Sequence, residues 1–146
     1  MTVLDASALI GALGNQPAKS EVEQILRRRP PPSISAVNLG EVIDWLVRVD
    51  GQREQDVRDR IDWLVVGGLE IEPMWPFDAR RAATLRARHY HRERRPLSLA
   101  DCVCLATAVK LSTDLATTDP VLYGLAHELG VEVIGLPDST GARPNH

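Results

Sequence analysis

The opening stretch, Thr2-Val3-Leu4-Asp5-Ala6-Ser7-Ala8-Leu9-Ile10, constrains the fold more than any other. Its first residues are β-branched or aliphatic, as in a buried strand. From Ala8 to Leu13 the composition is that of an apolar helix. The switch takes only a few residues, so the strand is expected to end at Asp5, with Ser7 capping the helix that follows. A strand that runs straight into a helix opens a β-α unit. It also leaves one carboxylate at the carboxyl end of a strand, where open α/β sheets bind their ligands. Asp5 is therefore either a site residue or a second cap for the helix, and this stretch alone does not separate the two.

The same alternation continues along the chain. A helix over 18–28 ends in Arg27-Arg28-Arg29 and Pro30-Pro31-Pro32, because arginines suit a helix C-terminus and prolines stop the helix. Ser33-Ile34-Ser35 reads as a short strand, and Ser35 is placed to cap a helix over 36–48. In that helix Asp44 and Arg48 are spaced for a surface pair. Glu41 lies between Val37 and Trp45 at the edge of the apolar stripe. There it either turns outward to water or needs a partner. Further helices are expected over 54–66 and 78–90, with a half-polar strand over 69–73 between them. The stretch 96–109 is apolar nearly all round, which marks a buried helix. Its one acid, Asp101, stands at capping-box spacing from Ser98. A strand over 115–117, a helix begun by Asp119-Pro120 and a strand over 131–134 complete the pattern. Residues 138–146 read as a flexible tail on a single domain spanning 1–137.

Alternating strands and helices argue for an α/β sandwich around a mainly parallel sheet. In such a sheet Asp5 and Asp119 fall on one edge, and Asp101 and Glu41 can reach it. Lys19 and Lys110 are the only lysines, and neither is close in sequence to these acids. Two carboxylates ~4 Å apart repel by roughly 4 kcal/mol at an effective dielectric of ~20, so four cannot all be ionised without a cation. The absence of histidine and cysteine from the set speaks against zinc. An all-oxygen set suits Mg²⁺ or Mn²⁺.

Composition excludes little else. The net charge of -3 gives no global basic field for nucleic acid. One basic concentration exists between residues 80 and 95, including Arg86, Arg92, Arg94 and Arg95. It is either a solvated helix face with its loop or a phosphate-contacting strip. Cys102 and Cys104, two apart on a helix, point to different sides and are expected as buried thiols. No signal peptide is evident and no apolar run approaches the ~20 residues that span a bilayer, so a cytoplasmic protein is expected.

Four segments together carry a resemblance: Leu-Asp5-Ala-Ser7-Ala-Leu, Ser-Ala-Val-Asn-Leu-Gly-Glu41-Val, Leu-Ser-Leu-Ala-Asp101 and Leu-Ala-Thr117-Thr118-Asp119. In this order, over nearly the whole chain, they resemble the PIN-domain ribonucleases and look most like the VapC-type toxins of bacterial toxin–antitoxin pairs. The resemblance implies a three-layer α/β/α sandwich and Mg²⁺-dependent hydrolysis of RNA phosphodiesters. It implies Asp5 and Asp101 as the principal metal ligands. Glu41 and Asp119 would complete the acidic site, with Ser7 and Thr117 supporting it by hydrogen bonds. It also implies a small antitoxin partner, a homodimer and a toxin–antitoxin hetero-oligomer. Two other classes remain open from the residues: a binding module that keeps the acidic pocket without chemistry, and a phosphoacceptor receiver-like domain.

Overall fold

The computed structural model describes residues 1–145. Five parallel strands form one sheet in the order β3-β2-β1-β4-β5. They are β1 (Thr2–Leu4), β2 (Ser33–Ser35), β3 (Glu70–Glu72), β4 (Asp114–Thr117) and β5 (Val133–Gly135). The helices are α1 (Ala6–Leu13), α2 (Lys19–Leu26), α3 (Ala36–Asp44), α4 (Glu54–Val66), α5 (Pro76–His89), α6 (Leu99–Leu111) and α7 (Pro120–Glu128). A π turn, Trp45–Val49, extends α3.

Side chains alternate across a strand, and the two cores follow from that. Leu4, Ile34 and Ala116 face one cluster with residues of α1, α2, α3 and α4. Val3 and Leu115 face the other, with residues of α5, α6 and α7. The result is a three-layer α/β/α sandwich. Residues Cys102, Val103, Cys104, Leu105, Ala106, Thr107 and Ala108 are all buried, as the apolar circumference of this helix predicts. Both thiols are free; burial pushes Cys102 up to about 11 and Cys104 well above its ordinary value.

Strand order reverses between β1 and β4. The first strand is followed in the sheet by β2 and β3 on one side, and β4 and β5 lie on the other. A crevice opens at the carboxyl ends of strands where order reverses in this way. Leu4 pairs with Ala116 across it.

Local readings differ in places from those expected. Asp5, not Ser7, is the N-cap residue of α1, because the helical backbone already begins at Ala6. Ser7 lies inside the first turn and bonds Asp5 instead. The 36–48 helix widens at its end: Asp50 N–H donates to the Trp45 carbonyl at 3.0 Å, five residues back. Beyond Leu136 the Asp138 carboxylate accepts from the Thr140 and Ala142 amides, and Arg143 pairs with Glu21 of α2. The expected tail runs to His146, which lies outside the described residues. No helix of the described residues is long and apolar enough to cross a membrane.

Candidate active site

The β1–β4 register builds the site. Asp5 N–H donates to the Ala116 carbonyl at 3.0 Å, so pairing runs one residue past β1. That sets Asp5 beside Thr117, although 112 residues separate them. Thr117 Oγ1 donates to Asp5 Oδ2 at 2.9 Å, and Ser7 Oγ donates to the same oxygen at 2.6 Å. Each hydroxyl is aimed by a backbone amide behind it. Thr118 N–H donates to Ser7 Oγ, and Asp119 N–H donates to Thr117 Oγ1, both at 3.0 Å. Each hydroxyl accepts at its oxygen from the β4–α7 turn and spends its single proton on Asp5. Ser7 and Thr117 thus both hydrogen-bond the Asp5 carboxylate.

The other acids are held in the same half-satisfied way. Asp119 caps α7, its Oδ1 accepting from the Val121 and Leu122 amides at 2.6 and 3.2 Å. Asp101 closes a capping box: its Oδ2 accepts from Ser98 N–H at 2.7 Å, and Ser98 Oγ accepts from Asp101 N–H. Glu41 Oε2 accepts from Asn38 Nδ2 at 3.0 Å. The remaining oxygen of each carboxylate accepts no hydrogen bond from the described residues. No buried side-chain oxygen or nitrogen among them is left unpartnered. Asp5 Oδ1, on a residue only 4% exposed, therefore meets solvent at the cleft.

Asp5, Glu41, Asp101 and Asp119 line one cleft of ~320 Å³. Burial raises the Asp5 carboxyl above its ordinary value, against the hydroxyl bonds of Ser7 and Thr117, and the charges of Asp101 and Asp119 raise it further. Burial also raises Glu41 and Asp101, with neighbouring carboxylates adding to each. Three of the acids stand at the N-termini of α1, α6 and α7, whose dipoles offset part of this repulsion. No lysine lines the cleft; Arg48 does, beside Asp44.

The donor set fits a hard divalent cation. Four carboxylate oxygens are open and no nitrogen or sulfur accompanies them. Among the described residues no three acids stand as a ready-made ligand group. Mg²⁺ commonly binds through one or two carboxylates and keeps several waters, so the donors match in kind without forming a closed cage.

Asn38 was given no role by its sequence. It is fully buried, and its amide protons go to Glu41 and to the Ala100 carbonyl at 3.1 Å. Its Oδ1 accepts from Ser35 Oγ at 2.5 Å. It is the partner that Glu41 needs at the edge of an apolar stripe, and it ties α3 to the first turn of α6. Its place three residues after the cap Ser35 and three before Glu41 was the available signal. Asn38→Asp should destabilise the protein by ~1–3 kcal/mol, since a carboxylate would face another acid and a carbonyl. Urea denaturation checks this, and an unchanged midpoint would show that the amide is dispensable there.

Arg86, Arg92, Arg94 and Arg95 of the basic segment lie outside this cleft. Arg86 donates to the Leu97 carbonyl at 3.0 Å and lies over the Tyr90 ring. Arg95 pairs with Glu128. Arg92 and Arg94 make no side-chain bond within the described residues. Arg94 and Arg95 line a separate cleft with Arg88, His89, Tyr90 and His91.

Comparison with curated protein sequences gives no match. Among solved structures the chain is similar to VapC20 of Mycobacterium tuberculosis, described as a Sarcin-Ricin loop cleaving toxin. The TM-score is 0.68 at 19% identity over 86% of this chain and 95% of that one. It is similar to DNA-bound VapBC from Salmonella typhimurium (TM-score 0.69, 17% identity, 92% and 98% covered). It is also similar to a toxin–antitoxin complex from Klebsiella pneumoniae (TM-score 0.60, 23% identity, 82% and 87% covered). At these identities the likeness is one of fold. The family model of the PIN domain matches residues 2–128 in sequence, and with that match the chain belongs to the PIN domain family.

Proposed function

We propose that this protein is a Mg²⁺-dependent endoribonuclease, acting as the toxin of a toxin–antitoxin pair. The observation that carries the reading is the convergence of four carboxylates, each with one oxygen open to a shared cleft. Asp5 and Asp101 are the principal ligands, with Glu41 and Asp119 completing the site directly or through water. When bound, Mg²⁺, or Mn²⁺ in its place, neutralises phosphate charge and lowers the pKa of a water. The chain's own part is positional. Ser7 and Thr117 pin one oxygen of Asp5 so that the other stays aimed at the cleft. Asn38 does the same for Glu41, and the α6 and α7 caps do it for Asp101 and Asp119.

The fold likeness to toxins solved with their antitoxins supports a small antitoxin partner, and with it a homodimer within a larger hetero-oligomer. RNA is the substrate and the cytoplasm the setting. The receiver-like reading needs a lysine at the acidic cluster. Lys110 lies nine residues along α6 from Asp101, ~13 Å along the axis, held by Asp78 and Glu72 at 3.3 and 3.8 Å. A pocket without chemistry is separated by experiment. Incubated with total RNA, the protein should produce discrete cleavage ends with Mg²⁺ and none with EDTA. Identical end maps under both conditions would reject a metal-dependent nuclease.

The basic segment is assigned to RNA phosphates, and the structure sorts its members. Arg86 and Arg95 are engaged within the protein, so Arg92 and Arg94 carry the interaction. Alanine at both should reduce the slope of log affinity against log salt by ~1.4, the value for two single-strand phosphates. Filter binding across a salt series measures it, and an unchanged slope would return the segment to a solvated loop.

A further inference from the structure

The acidic cleft continues past the four carboxylates. Its remaining lining includes Ile10 of α1 and Asp44, Trp45 and Arg48 at the end of α3. Glu41, Asp44, Trp45 and Arg48 follow the i, i+3, i+4, i+7 spacing of one helix face. The face leads from an acid of the cluster to the rim.

Two observations mark this end of α3. The first is the π turn that begins at Trp45, a departure from regular helix that recurs at functional sites. The second is Gly14. A methyl group there would lie 2.8 Å from the Ile10 carbonyl, too close for a side chain, and 3.5 Å from the Trp45 ring, an ordinary contact, so the indole lies close against the end of α1. Trp45 packs against the core cluster of that layer and still lines the cleft. Among the described residues Arg48 is the only cation in the lining. Its Nε and Nη2 grip both oxygens of Asp44 at 3.0 and 2.8 Å. Both side chains of this pair are well exposed, at 67% and 57%, and such a pair contributes little to stability and opens readily.

We propose that Ile10, Trp45 and Arg48 form a nucleotide subsite for single-stranded RNA beside the acids. The indole takes an unpaired base by stacking, and Arg48 leaves Asp44 to take the adjoining phosphate. The inference rests on the RNA-cleaving reading of the cleft. Four carboxylates repel a polyanion, and a cation at the rim compensates where the strand enters. The guanidinium fork that now spans two carboxylate oxygens also matches two phosphate oxygens. An aromatic ring accepts any base with its flat face, provided the base is not already stacked in a duplex. In the free protein Asp44 holds the fork in place and competes with the phosphate for it.

That competition makes the test sharp. Binding is measured in an Asp5→Asn background with a fluorescein-labelled single-stranded RNA of about ten nucleotides. Arg48→Gln should weaken binding about 10-fold and lower the salt slope by about one phosphate. Asp44→Asn, which breaks the same pair from the other side, should strengthen binding. A merely structural pair predicts that both variants move affinity the same way, and that result overturns the subsite. Glu54→Gln and Arg58→Gln make the same charge changes at an exposed pair on α4 outside the cleft. If they reproduce the two shifts, bulk charge explains the effect and the subsite is rejected. Trp45→Leu keeps an apolar side chain but removes the ring and should weaken binding about 10-fold, with folding checked by thermal melting, while Trp45→Phe should retain most affinity. Equal binding by Trp45→Leu and wild type also overturns the subsite. Unaltered affinity in these variants, with wild-type cleavage when the same substitutions are made with Asp5 intact, removes the subsite alone. RNA that fails to bind the wild-type cleft removes both the subsite and the nuclease reading.

Discussion

Asp5→Asn is expected to lower Mg²⁺-dependent RNA cleavage by roughly 10³-fold or more, while the protein stays folded. Asparagine matches aspartate in size, and its single carbonyl oxygen can still accept from Ser7 and Thr117, the two donors now on Oδ2. The amide nitrogen is then turned to the cleft, where a donor replaces the oxygen that faced it. The supporting network survives, and the ligand atom is lost. Asp101→Asn follows the same logic, because its carbonyl oxygen can keep the Ser98 cap. Single-turnover cleavage of labelled RNA measures both, with circular dichroism as the check on folding. Near-normal rates in either variant would sink the site assignment.

In the metal-free protein, Asp101→Asn is expected to be at least as stable as wild type and to lose most of the stabilisation that Mg²⁺ would give. A ligand that binds only the folded protein contributes ~2.7 kcal/mol at 100 times its dissociation constant. For a chain of this size that is a rise of roughly 10 °C in melting temperature. The sign of the pH dependence follows from the site. Burial holds Asp5, Glu41 and Asp101 above their ordinary values, so over that window the folded state binds more protons than the unfolded one. Stability in EDTA therefore falls as pH rises from the ordinary carboxylate range through the raised values, and it stays lowered above them. The Mg²⁺ shift grows over the same window, since the cation competes with those protons. Asp101→Asn flattens both trends. If the residue served only as a cap, Mg²⁺ would move neither protein, and asparagine would cost a modest loss of N-terminal charge. Thermal melts at several pH values with EDTA and with Mg²⁺ decide. Equal metal shifts in both proteins would show that Asp101 does not hold the ion.

The two oxygens of Asp101 also explain why its sequence allowed two readings. Spacing from Ser98 marked a capping box, and the lone acid in an apolar helix marked a site. The structure has the box on Oδ2 and leaves Oδ1 to the cleft. Both signals were local; the structure bears out the cap, and the site role of Asp101 belongs to the proposed function. Asp119 was legible in the same manner, as a cap before proline at the head of α7.

Local patterning was enough for the strands, most helix limits, the buried character of α6 and the α/β class, because periodicity and capping act within a few residues. It also marked the four acids, each by its place at a strand end, in a first turn or at the edge of an apolar stripe, whereas the supporting roles of Ser7 and Thr117 came only from the family resemblance. What only the tertiary structure decided depends on pairs far apart in the chain. The β1–β4 register sets Thr117 against Asp5. The packing of α3 on α6 buries Asn38 between Glu41 and Ala100, although its sequence position gave it no role. The π turn, a small departure from helix that side-chain periodicity does not encode, accompanies Trp45 and Arg48 at the cleft, where an i,i+4 pair had read as ordinary surface. Registers and packing angles are set by the summed contacts of whole layers, so no window of the sequence contains them.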